Sequence, residues 1–94
     1  MEVIVKNNFH KALKLTPKHI QEAVREIITI TLPQSKNLES TGLDYSRMEG
    51  QKKGENYYRI RLGEWRIGLE YINPKVILIT ILIRGNIYKK FPPK

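Results

Sequence analysis

The chain has 94 residues, 17 Lys or Arg against 9 Asp or Glu, a formal net charge of +8 and no cysteine. That length fits one domain with a modest core, and the lack of cysteine excludes disulfides, thiolate nucleophiles and cysteine zinc sites. No apolar run approaches the roughly 20 residues of a spanning helix, and the opening Met-Glu-Val-Ile-Val-Lys lacks a signal peptide's basic start and small-residue cleavage site, so the expectation is a cytoplasmic chain with no membrane partner.

Val3 and Val5 alternate with Glu2, Ile4 and Lys6, which predicts a short first strand. Asn8 is a candidate cap for a short helix over Phe9–Leu15. Thr16-Pro17 is a better start signal, a capping hydroxyl followed by proline at the first helical position. From there Ile20, Ala23, Val24, Ile27 and Ile28 recur at helical spacing. They make one apolar stripe on a helix of about four turns, closed by Pro33. The β-branched Ile-Thr-Ile-Thr run at 28–31 weakens the signal at the helix end. Residues 34–56 are polar, poor in periodicity and contain Gly42, Gly50, Gly54 and Lys52-Lys53. They read as a long connection with one short strand near Ser46–Glu49, and such a loop in a compact domain is often functional.

The second half reads as strands. Tyr57–Leu62 and Trp65–Ile72 both alternate, and Gly63-Glu64 between them suits a two-residue type II′ hairpin turn. Asn73-Pro74 marks the next turn. Val76–Ile83 is a nearly unbroken apolar run, as expected of a central strand. The fold class is therefore α+β, with two N-terminal helices packed on one face of a small twisted antiparallel sheet.

The charge is uneven. Residues 1–47 carry 7 basic and 5 acidic side chains, whereas residues 48–94 carry 10 and 4. A basic half suggests a polyanionic partner, because Lys and Arg release condensed counterions on contact with phosphates. The predicted turn would pair Leu62 with Trp65, Arg61 with Arg66, Ile60 with Ile67, Arg59 with Gly68 and Tyr58 with Leu69. Tyr58, Ile60, Leu62, Trp65, Ile67 and Leu69 would then pack on the helices, leaving Tyr57, Arg59, Arg61, Arg66, Gly68 and Glu70 on the other face. Two arginines directly opposite each other destabilise a hairpin, and a bound phosphate would relieve the repulsion through paired hydrogen bonds. Gly68 opposite Arg59 would leave a shallow spot for a substrate backbone. The alternative is a solvated face on which Glu64 and Glu70 balance the arginines. His10 and His19 read as surface histidines, and no metal-ligand set, phosphate loop or Ser-His-Asp arrangement is evident.

The segment Asn56-Tyr57-Tyr58-Arg59-Ile60-Arg61-Leu62-Gly63-Glu64-Trp65-Arg66-Ile67-Gly68 resembles the central signature of RelE/ParE toxins: a tyrosine strand with alternating basic residues, a tight turn, then aromatic-Arg-hydrophobic. The tail Arg84-Gly85-Asn86-Ile87-Tyr88-Lys89-Lys90-Phe91-Pro92 is similar to the family's closing Arg-x-x-x-Tyr element. The resemblance implies a single RelE-like toxin domain over 1–94, the toxin of a type II toxin–antitoxin pair. RelE-like members cut mRNA in the ribosomal A site without a metal, the RNA 2′-hydroxyl attacking the adjacent phosphate. Carried over by position, Arg59, Arg61, Arg66, Arg84 and Tyr88 are the candidate catalytic residues. Lys52, Lys53, Tyr57, Lys89 and Lys90 are candidate RNA contacts. Expected partners are a cognate antitoxin, the ribosome and mRNA, with no metal and no small-molecule cofactor. Two positions depart from the family: the strand pair that is often lysine is Arg59 and Arg61, and the histidine that often precedes the late arginine is Ile83. An arginine is a poor general base. A ParE-like gyrase inhibitor and a non-catalytic nucleic-acid-binding or inactive homologue remain as alternatives.

Overall fold

The computed structural model describes residues 1–92. Strands Glu2–Val5 (β1), Tyr45–Arg47 (β2), Tyr57–Leu62 (β3), Trp65–Ile72 (β4) and Lys75–Ile83 (β5) form one sheet in the order β1-β5-β4-β3-β2. The meander β2 to β5 is antiparallel, as the turn signals require. β1 joins it as an edge strand parallel to β5, pairing Val3 with Val76 and Val5 with Leu78. The parallel pairing is possible because residues 6–74 intervene and supply the long crossover it needs.

Helices Asn7–Leu13 (α1) and Lys18–Glu26 (α2) cover one sheet face. Ile20, Val24 and Ile27 are all buried, so the predicted stripe does face the sheet. The helix starts differ from the sequence reading. Asn8 lies inside α1, whose N-cap is Lys6. The Thr16 hydroxyl does not cap α2; it donates to the Leu13 carbonyl at 2.7 Å and so finishes α1, while Pro17 occupies the N-cap of α2. The helix also passes the point where its signal weakened. It widens into a π-helical turn at Ile27–Thr31 and ends in a last α-turn, Leu32–Gln34 (α3), with Pro33 inside it. Proline has no N–H and crowds the carbonyl of residue i−4, and a widened turn ahead of it takes up that mismatch. The Met1 ammonium donates to the carbonyls of Leu32, Pro33 and Ser35 at 3.1, 3.0 and 2.9 Å, a cation on the negative end of that helix.

The polar connection holds a 3-10 turn at Glu39–Thr41 and the strand β2, centred slightly earlier than Ser46–Glu49. In the main core, Phe9, Val24, Leu32, Ile60, Ile67, Leu69 and Leu78 are fully enclosed. A smaller apolar cluster of Met48, Ile87 and Phe91, flanked by Tyr57, Ile79 and Leu82, sits on the opposite face. A register shift between Gly68 and Leu69 feeds both, since β5 can then send Leu78 and Ile81 into the main core while Ile79 and Leu82 reach the second.

Ile27→Asp would bury an unpaired charge where Ile27 is 5% exposed. The expected cost exceeds about 4 kcal/mol, a large part of a small domain's stability. Thermal melting followed by circular dichroism should show no cooperative transition. A folded, cooperatively melting variant would contradict this packing.

Candidate functional site

The β3–β4 hairpin positions the basic face. Its register pairs Leu62 with Trp65, Arg61 with Arg66, Ile60 with Ile67, Arg59 with Gly68 and Tyr58 with Leu69, as the two-residue turn predicts. Gly63 has φ +60° and Glu64 is not in the positive-φ region, the pattern of a type II′ turn. Alternation then places Arg59, Arg61 and Arg66 together on the face away from α1 and α2.

Arg66 is 7% exposed, unusually buried for an arginine. Its Nη1 donates to the Gly63 carbonyl at 2.7 Å and the Trp65 carbonyl at 2.9 Å, so part of the guanidinium is committed to holding the turn. Its Nε has no hydrogen-bond partner among the described residues, and neither does the buried Nη1 of Arg59. A buried charged donor without a partner is costly, and an anion is the ligand that satisfies it. Arg61 lies directly opposite Arg66 and is exposed. Arg84 is brought to the same end of the sheet, its backbone N–H donating to the Glu64 carbonyl at 2.8 Å. Arg61, Arg66 and Arg84 therefore gather at the turn.

Arg59 belongs to a neighbouring group. In the cross-strand row Ser46, Arg59, Gly68 and Thr80, Arg59 borders a cavity of about 500 Å³. Tyr88 and Lys89 line the same cavity from the short helix Ile87–Lys90 (α4). Tyr88 is 62% exposed, with its ring available. Arg47 and Glu49, which are not among the residues expected from the sequence, line it as well. Their signal was present in the long polar connection, but nothing local indicated that β2 would pair with β3 and carry them to Arg59.

The other candidates are dispersed. Lys52 and Lys53 are exposed on the loop joining β2 to β3, at the far end of β3 from Arg61. Tyr57 and Arg61 are four strand positions apart, about 13 Å. Lys90 borders a different groove, with Lys11 and Leu15. Tyr57 is half-buried, its ring edge-on to Phe91 at 5.5 Å, so much of it belongs to the second core. The expected shallow spot at Gly68 is filled: the Phe91 ring lies on it. His10 and His19 are exposed on α1 and α2, and among the described residues no group of three or more His, Cys, Asp or Glu could hold a metal ion. No helix among them is long and apolar enough to cross a membrane.

No family model matches the chain. Over 92 residues, 98% of this chain and 100% of the relative, the sequence is 37% identical to Toxin RelE3 of Methanocaldococcus jannaschii. The structure is similar to the crystal structure of the RelB-RelE antitoxin-toxin complex from Methanococcus jannaschii, with TM-score 0.76 and 35% identity over 95% of this chain and 99% of that one. The toxin-antitoxin complex RelBE2 of Mycobacterium tuberculosis shares the fold, with TM-score 0.66 and 16% identity over 88% and 96% of the two chains.

The two opposed arginines should respond differently to substitution. Arg66→Lys removes the Nη1 that reaches two turn carbonyls and should cost about 1–3 kcal/mol. Arg61→Gln relieves like-charge opposition and should leave stability unchanged or raise it by about 0.2–1 kcal/mol. Urea unfolding midpoints measure both, and an equal loss in the two variants would contradict these roles.

Proposed function

The chain belongs to the RelE family and is a toxin of the toxin–antitoxin type, and on that premise we propose that it cuts messenger RNA on the ribosome. The observation that carries this reading is the gathering of Arg61, Arg66 and Arg84 at one end of the sheet, with a buried Arg66 donor left without a partner among the described residues. Fixed cations aimed at developing charge are usually the largest contribution to catalysis.

The reaction is attack of a ribose 2′-oxygen on the adjacent phosphorus. The bond from phosphorus to the 5′-oxygen breaks, the 2′-hydroxyl proton leaves to a base, and the departing 5′-oxygen takes a proton. The products are a 2′,3′-cyclic phosphate and a 5′-hydroxyl. Arg61 and Arg66 stabilise the charge on the pentacoordinate phosphorus. Arg84, beside the turn, serves the leaving side. Tyr88 offers a ring on which a base stacks and a hydroxyl oxygen that accepts a hydrogen bond from a ribose hydroxyl, and the proton of the attacking 2′-hydroxyl passes to solvent. Arg59 and Lys89 hold a neighbouring phosphate, and Lys52, Lys53 and Lys90 add contacts to ribosomal RNA. Arginine does not serve as the base at neutral pH. That shortage fits an enzyme whose substrate must first be oriented by the ribosome.

The partner that restrains it is an antitoxin. The Methanococcus jannaschii relative solved with RelB supports this, as does the basic face, which an acidic segment would neutralise. Ile72, 56% exposed and two residues beyond Glu70 on β4, offers an apolar contact to such a segment.

Induction of the wild-type chain beside Arg84→Ala and Arg66→Ala tests the proposal, with growth scored and transcript ends mapped. Growth arrest with new ends inside translated messages is expected, reduced on the order of 10²–10³-fold in both variants. Arg84 is exposed, so its variant separates chemistry from folding. Arrest with intact messages would point instead to a gyrase-type target, and no arrest to binding without cleavage.

A further inference from the structure

We propose that Phe91, seated on Gly68, is a positioning residue that holds Tyr88 and Arg59 in register within the candidate site. This rests on the nuclease reading above and extends it to a residue outside the arginine set.

Gly68 is the starting observation. Of the chain's 6 glycines, Gly42, Gly50, Gly54, Gly63 and Gly85 have positive φ, which accounts for them. Gly68 does not; it lies within β4, where a glycine weakens a strand. Its reason is space. A Cβ built there would meet Cδ1 and Cγ of Phe91 at 2.9 Å and Cδ2 at 3.0 Å, so the aromatic ring rests on the bare backbone. Tyr57 closes the seat edge-on, at 5.5 Å and 82°.

The consequence for the site follows from the size of α4. It has 4 residues, too few to hold themselves in place, and only Ile87 among them is buried. Tyr88 and Lys89 therefore take their position from the two apolar anchors that bracket them, Ile87 and Phe91, which are 0% and 3% exposed. Gly68 pairs with Arg59, so the ring sits in the same cross-strand row and borders the same cavity. One contact thus bears on two lining residues, the arginine beside it and the tyrosine three residues before it. Arg84 lies outside this influence, because its backbone is tied to Glu64 at the turn.

A double-substitution cycle tests the seat, with full-length protein and cleavage measured on message-programmed ribosomes. Gly68→Ala displaces the ring without touching a proposed catalytic group. It should slow cleavage by on the order of 10²-fold, the scale of a misplacement of about 1 Å. In that background Tyr88→Ala should cost less than about twofold further, because the ring is already misplaced, whereas Arg84→Ala should keep its full wild-type effect. Phe91→Ala should reproduce the pattern and Phe91→Leu should recover part of the rate. Tyr88→Ala costing the same factor in the wild-type and Gly68→Ala backgrounds, including no cost in either, would overturn the proposal. Wild-type protein that does not cleave would sink the nuclease reading instead. The same cycle read as affinity for a single-stranded RNA would then decide the seat on its own, with coupled losses supporting it and additive losses overturning it.

Discussion

The two-residue turn at Gly63-Glu64 fixes where the basic side chains of β3 and β4 lie. A turn of that length leaves no choice of register, and a slip of one residue would send the arginines into the core and Ile60 and Ile67 to solvent. The register also imposes a cost, because Arg61 and Arg66 face each other across the ladder. Part of that cost is offset within the chain: the Arg66 guanidinium bends back to the Gly63 and Trp65 carbonyls, stabilising the turn that creates the opposition. The remainder, an unpartnered Nε, is what a phosphate would complete. Stability and the proposed chemistry thus draw on one guanidinium.

The face carrying these arginines is only partly open. A sheet covered by helices on one side leaves the other to solvent or a partner, and here the C-terminal segment takes a portion of it. Ile87 and Phe91 close a second small core over Met48, Ile79 and Leu82. The open remainder divides into the arginine group at the turn and the cavity beside Arg59, Tyr88 and Lys89. A strand of RNA crossing this face would meet both, its phosphates along the arginines and a base against the tyrosine.

Much of this was legible in the residues. The hairpin was, because a Gly-X turn between two alternating strands allows a single pairing. So was the α2 stripe, whose spacing places Ile20, Val24 and Ile27 on one side. Local features decided by distant contacts were not. Thr16 has the look of a helix cap, yet its hydroxyl ends the preceding helix, a choice made by how α1 and α2 meet. Gly68 resembled an opening for a ligand because the sequence does not say which segment will fill it; Phe91, 23 positions later, does. The parallel pairing of β1 with β5 and the arrival of Arg47 and Glu49 beside Arg59 depend in the same way on long-range topology.

We propose that this arginine face stabilises 2′-hydroxyl attack on a phosphate of ribosome-bound message. End-group analysis of message recovered from programmed ribosomes after incubation with the protein tests it most directly. The fragments should bear a 2′,3′-cyclic phosphate on one side of the cut and a 5′-hydroxyl on the other. Intact message, or fragments ending in a 5′-phosphate, would contradict it.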